Sequence, residues 1–149
     1  MSNANLYALF LERFPNDPAA VFLDGVDGRQ LCYGEVAQRS GRMLGLLQRC
    51  GVSKGDRVAV QVEKSIEAVL LYLACLRAGA IYIPLNTAYT PNEVGYFLQD
   101  AAPRLFVCTP DGKEALAGVA RAAGVPELLS LGSAGDGEVP EALDSVYES

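Results

Sequence analysis

Glu63-Lys64-Ser65 and Asn86-Thr87 are the groups best placed in this sequence to meet a ligand. Each follows a short run rich in β-branched or aromatic residues, at 57–62 and 80–85. If those runs are parallel strands, both groups lie just past the carboxyl ends, where open α/β sheets bind ligands. Lys64, Asn86 and Thr87 are therefore the candidate ligand-binding residues. A lysine in such a place is more often a solvated loop charge, and a serine there more often a helix cap.

No catalytic constellation is complete. The chain has no histidine, so Cys32, Cys50, Cys75 and Cys108 have no imidazole base beside them. Their irregular spacing contains no CxxC pair, and the usual zinc ligand sets are absent. These cysteines read as reduced, mostly buried thiols. Neither residues 51–57, GVSKGDR, nor 132–137, GSAGDG, has the spacing and strand–loop–helix context of a phosphate loop. Tyr82, Tyr89, Tyr96 and Phe97 lack the basic neighbours of a base-stacking platform, and read as core or interface packing.

The elements that must position these residues repeat. Strand-like runs begin near Arg57, Ala80, Arg104 and Glu127, with helical patterns between them. A spacing of about two dozen residues is one strand plus one crossover helix. The runs are apolar on both faces, as in a parallel sheet covered on two sides. The helix after Ser65 is apolar nearly all round and ends at Gly79. It is expected to pack on its sheet with one face and on another layer or domain with the other. Thr90-Pro91-Asn92-Glu93 is a capping box with proline at the first helical position.

Upstream, residues 5–14 place Leu6, Leu9, Phe10 and Phe14 on one helical face. Two strand-like segments around Gly25-Val26-Asp27-Gly28 read as a hairpin. A further helix turns Val36, Ser40, Met43, Leu44 and Leu47 inward and stops at Gly51. Thr109 or Asp111 can cap an alanine-rich helix over residues 112–123. The fold class expected is α/β: a mostly parallel sheet with helices on both faces, preceded by a short helix and a β-hairpin.

The 149 residues suffice for one domain with a core, half of them hydrophobic. The net charge of −6 is concentrated in residues 132–149, which carry Asp136, Glu138, Glu141, Asp144 and Glu148 without a lysine or arginine. The domain is therefore placed at 1–131, with 132–149 as an acidic linker or tail. The rest is near neutral, which argues against nucleic acid or an anionic membrane as partner. The longest apolar stretch, 68–85, is interrupted by Arg77 and Pro84, so no membrane span is expected. The first residues lack a signal-peptide pattern, and a cytoplasmic setting is expected.

Two stretches resemble the adenylate-forming enzymes: acyl- and aryl-CoA synthetases, luciferases and peptide-synthetase adenylation domains. Residues 31–36, LCYGEV, are similar to the first core motif of that family. Residues 76–107 match the second more specifically, through Arg77-Ala78-Gly79, Tyr82-Ile83-Pro84-Leu85-Asn86 and Pro91/Glu93. Within the family, NLYALF, Glu63-Lys64-Ser65 and PLNTAYTPNEV look most like malonyl-CoA synthetases. One departure is Cys32, where the motif carries serine or threonine before the tyrosine.

The resemblance implies the N-terminal portion of an AMP-forming acid–CoA ligase. It implies ATP, magnesium and CoA for a full-length enzyme and none for this chain alone. The family's phosphate loop, ribose-binding aspartate and adenylation lysine lie downstream of the two motifs, and none is found here. No catalytic residue or metal ligand is therefore assigned. The expected partner is the remainder of the ligase, its phosphate-loop region and C-terminal domain, or a self-associating apolar face. The alternative is a free-standing binding or interaction module that retains the fold without the chemistry.

Overall fold

In the computed structural model, residues 3–25, 28–140 and 142–143 are described. Helix α1 (Asn3–Glu12) leads into a hairpin of β1 (Val21–Asp24) and β2 (Gln30–Cys32), followed by α2 (Tyr33–Arg49). Strands and helices then alternate: β3 (Arg57–Gln61), α3 (Ile66–Ala78), β4 (Ile81–Pro84), α4 (Pro91–Ala101), β5 (Leu105–Cys108), α5 (Lys113–Ala122) and β6 (Glu127–Ser130). The four later strands form one parallel sheet in the order β4-β3-β5-β6, and β1 pairs antiparallel with β2. The α/β fold read from the sequence is the fold observed. Among the described residues no helix is long and apolar enough to cross a membrane.

The period-two alternation of the strands divides the core into two layers. Val58, Val60, Leu105 and Val107 face α2 and α3, packing with Met43, Leu47, Leu70 and Leu71. Ala59, Phe106 and Cys108 face the other way, onto Val94 and Leu98 of α4 and Leu116 and Ala120 of α5. With both faces covered, β5 is buried along its whole length.

Local signals set the helix ends as read. Ser65 Oγ accepts the Ala68 N–H at 3.0 Å, and Gly79 closes α3 in the left-handed region at φ 70°. Thr90 Oγ1 accepts the Glu93 N–H at 3.2 Å while Glu93 Oε1 accepts the Thr90 N–H at 3.0 Å, the full box at α4. At α5 the expected side-chain cap is not made: Gly112 is the N-cap, and the Thr109 hydroxyl accepts its N–H at 3.2 Å in the turn ahead of the helix. At α2, Glu35 accepts the Cys32 N–H at 3.1 Å.

Four expectations are corrected or sharpened. The buried face of α1 is Tyr7, with Phe10 and Leu11 packed beside it, whereas Leu6 and Leu9 are exposed. The 7, 10, 11, 14 stripe wins because Phe10 and Phe14 join Phe22 and Tyr33 in one aromatic cluster, with Phe14 and Tyr33 only 4.7 Å apart. Second, the far side of α3 packs on another layer, as expected, and that layer is this chain's own α1 and α2. Arg77 reaches across to the Ala37 carbonyl at 2.8 Å and Ser40 Oγ at 3.0 Å, and lies over the Tyr7 ring. Third, Val36, Ser40, Met43 and Leu47 of α2 are buried as expected, but Leu46 is buried with them and Leu44 is only half-buried. Fourth, residues 132–140 of the segment placed in the linker are seated on the domain: Gly132 and Val139 are buried, and Glu138 pairs with Lys113. Composition misread that segment because its glycines and single valine make contacts that carry no periodic pattern.

Gly34, which as a residue type weakens the start of α2, earns its place by proximity. Its N–H donates to the Pro18 carbonyl at 2.8 Å, and a methyl group there would meet Pro18 Cβ at 2.7 Å.

Candidate functional site

Chain connectivity decides which end of the sheet can bind. From β3 the chain leaves through α3 on one face, and from β5 through α5 on the other. Loops that diverge in this way create a crevice at the carboxyl ends of the strands. Lys64 follows β3 and Asn86-Thr87 follow β4, its sheet neighbour, so all three candidates stand at that end. All three are exposed.

Lys64 borders a groove of about 440 Å³ between residues 23–25 of the hairpin and the first two turns of α3. Leu23, Ile66, Val69, Tyr72 and Tyr82 form its apolar wall, and Asp24 and Lys64 contribute charge. Tyr72 and Tyr82 meet edge to face, with ring centroids 5.2 Å apart. Burial pushes the Tyr82 phenol up to about 12, with smaller contributions from Cys75 and Tyr72. It therefore stays a neutral hydrogen-bond donor across ordinary pH. A wall of this kind suits an aliphatic or aromatic group with a polar end.

Asn86 and Thr87 do not line this groove. The Asn86 side chain is committed to its own turn, where Oδ1 accepts the Ala88 N–H at 2.8 Å. Its carbonyl accepts from Gln61 Nε2 at 2.9 Å, which ties the ends of β3 and β4 together. The structure thus brings Lys64 and Asn86-Thr87 to the same edge of the sheet without merging them into one cluster.

The groove does not fit a triphosphate with its magnesium. One lysine and one aspartate in an apolar lining cannot neutralise that charge, and among the described residues no group of three or more metal-ligating side chains exists. The thiols are equally unsuited to nucleophilic work. Burial pushes Cys75 up to about 12 and Cys108 up to about 11. Cys50 is raised by burial first, and Cys32 by burial and then by the Glu35 carboxylate. A thiol held above its ordinary range is a poor nucleophile.

Sequence reasoning missed the partner of Glu67. That side chain, read only as a carboxylate in the first turn of α3, is buried and paired with Arg29 of the hairpin. The second contact of the pair, Arg29 Nη2 to Glu67 Oε2, measures 3.2 Å. Arg39 of α2 stands 4.0 Å away. No local pattern announces a pair separated by 38 residues.

Comparison with known proteins agrees with this architecture. Residues 8–146 match the model of a family described as AMP-binding enzyme. The crystal structure of apo MatB from Rhodopseudomonas palustris superposes with a TM-score of 0.86 at 40% identity, covering 97% of this chain and 28% of that one. The ATP-bound form of MatB from that organism gives the same TM-score at 41% identity, with the same coverage. Enterobactin synthase component F from Escherichia coli O157:H7 is 35% identical over 127 residues, which is 85% of this chain and 9% of the synthase. Tyrocidine synthase 3 from Brevibacillus parabrevis is 33% identical over 103 residues, or 69% of this chain and 2% of the synthase. The chain spans less than a third of the length of each of these relatives.

Proposed function

This chain belongs to the AMP-binding enzyme family, and from that premise we propose that it serves as the N-terminal portion of an ATP-dependent, AMP-forming acid–CoA ligase of the malonyl-CoA synthetase type. The observation that carries the reading is the likeness to MatB, 40% identical over nearly the whole of this chain. In the proposed reaction a carboxylate oxygen attacks the α-phosphorus of ATP and pyrophosphate leaves. The CoA thiolate then attacks the acyl carbon of the adenylate and AMP departs, the thiol proton passing to a base. Such transfers depend on positioning and on charge stabilisation of the transition state.

In this reading the chain supplies a sheet, a core and one wall, with Lys64, Asn86 and Thr87 at the edge that faces the rest of the enzyme. ATP, magnesium and CoA are held chiefly by the remaining portion, which is the proposed partner. A cytoplasmic setting belongs to the same proposal, supported by four free cysteines.

The test is a chimera in which these residues replace the matching part of MatB. Malonate-dependent pyrophosphate release close to the parent's supports the reading, and a folded but inactive chimera overturns it. The isolated chain is expected to release none.

A second reading, a free-standing binding module, is favoured by one observation. Outside the groove, the apolar helix α3 is already covered by α1 and α2, so the domain has little need of another layer over that part. A monodisperse isolated chain that takes up an apolar ligand at the groove would favour this reading.

A further inference from the structure

The crevice between β3 and β5 is where the reversal of chain direction would place a ligand, and this chain fills it with its own residues. After β6, Leu131 donates its N–H to the Cys108 carbonyl at 2.8 Å, which carries the segment over the end of β5. A tight loop follows, with the Gly132 N–H on the Asp136 carbonyl at 2.7 Å. Gly135, at φ 79°, lies directly on the Arg29–Glu67 pair, since a methyl group there would meet Arg29 Nη1 and Glu67 Oε1 at 2.7 Å. Gly137, at φ 105°, lies equally close to the Ser130 carbonyl. The segment returns through the Glu138 N–H on Ser130 Oγ at 3.0 Å, the Glu138–Lys113 ion pair and the buried Val139. One end thus rests on the first turn of α3 and the other on the first turn of α5, the two elements that diverge around the crevice.

We propose that residues 131–140 are a clasp that shuts this crevice and opens as a unit when its ends on Arg29–Glu67 and Lys113 are released. The inference does not depend on the ligase reading. Leu131 and Val139 anchor the segment in the core, while residues 132–138 between them carry no large apolar side chain and are held by close backbone packing and the two polar contacts. Segments built in this way open locally at a lower cost than the core they cover.

Cys108 reports on the clasp. It is fully buried at the carboxyl end of β5, close enough to Lys113 and Glu138 to feel both charges. Cys75, equally buried between the helices on the opposite face, serves as the internal control. The experiment is alkylation of the whole chain with iodoacetamide, read cysteine by cysteine by mass spectrometry. Lys113→Met, which breaks the same ion pair, is expected to speed labelling of Cys108 about tenfold while Cys75 keeps its rate, although loss of that cation by itself makes the Cys108 thiol harder to ionise. Gly135→Ala, which loosens the other end, is expected to do the same. Should one variant fail to fold, the other still decides. An unchanged rate at Cys108 in a folded variant overturns the proposal. So does labelling of Cys108 and Cys75 in step, because that is global unfolding and not a clasp.

Discussion

The two halves of the sheet's carboxyl edge have opposite characters. Beside β4 and the start of α3 lies an open apolar groove, edged by Asp24 and Lys64 and floored by a tyrosine pair. Between β3 and β5 the edge is closed by a polar segment resting on a buried carboxylate and its arginine. One half keeps apolar surface free, and the other pairs Glu67 with Arg29 and Glu138 with Lys113. The difference teaches that position at the strand ends does not by itself make a site; what matters is whether the chain has already used the space.

Removing Glu67 should produce the largest effect. Glu67→Ala leaves Arg29 facing a buried gap and strips the floor from under Gly135, at a cost of about 2 kcal/mol. Urea unfolding of the two proteins measures it, and a loss below about 0.5 kcal/mol would mean that the pair contributes nothing net. Next comes the groove floor under alkali. Tyr82 holds its proton up to about 12 against an ordinary value of 10.0. Its share of the stability is intact below pH 10 and is lost as the pH rises towards 12, because the unfolded chain ionises first. Tyr82→Phe should flatten that part of the melting-temperature profile, and a profile that falls as steeply as before would contradict the burial.

Thr90→Ala tests a purely local device, expected to cost about 1 kcal/mol through the lost cap; identical melting temperatures would count against the capping box. Cys32→Thr restores a hydroxyl at the start of α2 and should add a few tenths of a kcal/mol. A neutral or lower stability would show that packing of the thiol outweighs the missing cap. The smallest effect belongs to the open half. Lys64→Ala should leave stability within about 0.5 kcal/mol, since the residue is exposed at a rim. A larger loss would make Lys64 a structural residue and remove the contrast between the two halves.

The same contrast explains what could be read from the sequence. The strands, the caps at Ser65 and Thr90, and the helix ends at Gly79 and Gly51 depend on neighbours a few residues away, and all were legible. The inward face of α1 was not, because Leu6 and Leu9 satisfy helical spacing as well as Tyr7 and Leu11 do. Only the aromatic cluster with Phe22 and Tyr33 decides between them. Around the candidate site, Lys64 and Asn86-Thr87 were placed at the right edge by a topological rule. Asp24 and Tyr72 were not found, since the hairpin's approach to α3 is a tertiary event. The Glu67–Arg29–Gly135 contact joins three distant parts of the chain, and GSAGDG looks like any solvated glycine turn.

The clasp also bears on the order of events during synthesis. Arg29 and Glu67 leave the ribosome well before Gly135, so the hairpin, α2 and α3 can pair while the crevice above β3 is still bare. Parallel strands wait longer for their partners than hairpins do, and β6 arrives only just ahead of the segment that covers it. Of the elements described, residues 131–140 are then the last to reach the four strands. A nascent chain that stalls before them carries an assembled core with an unsealed edge, the form in which this protein would be most exposed to chaperones and to mispairing.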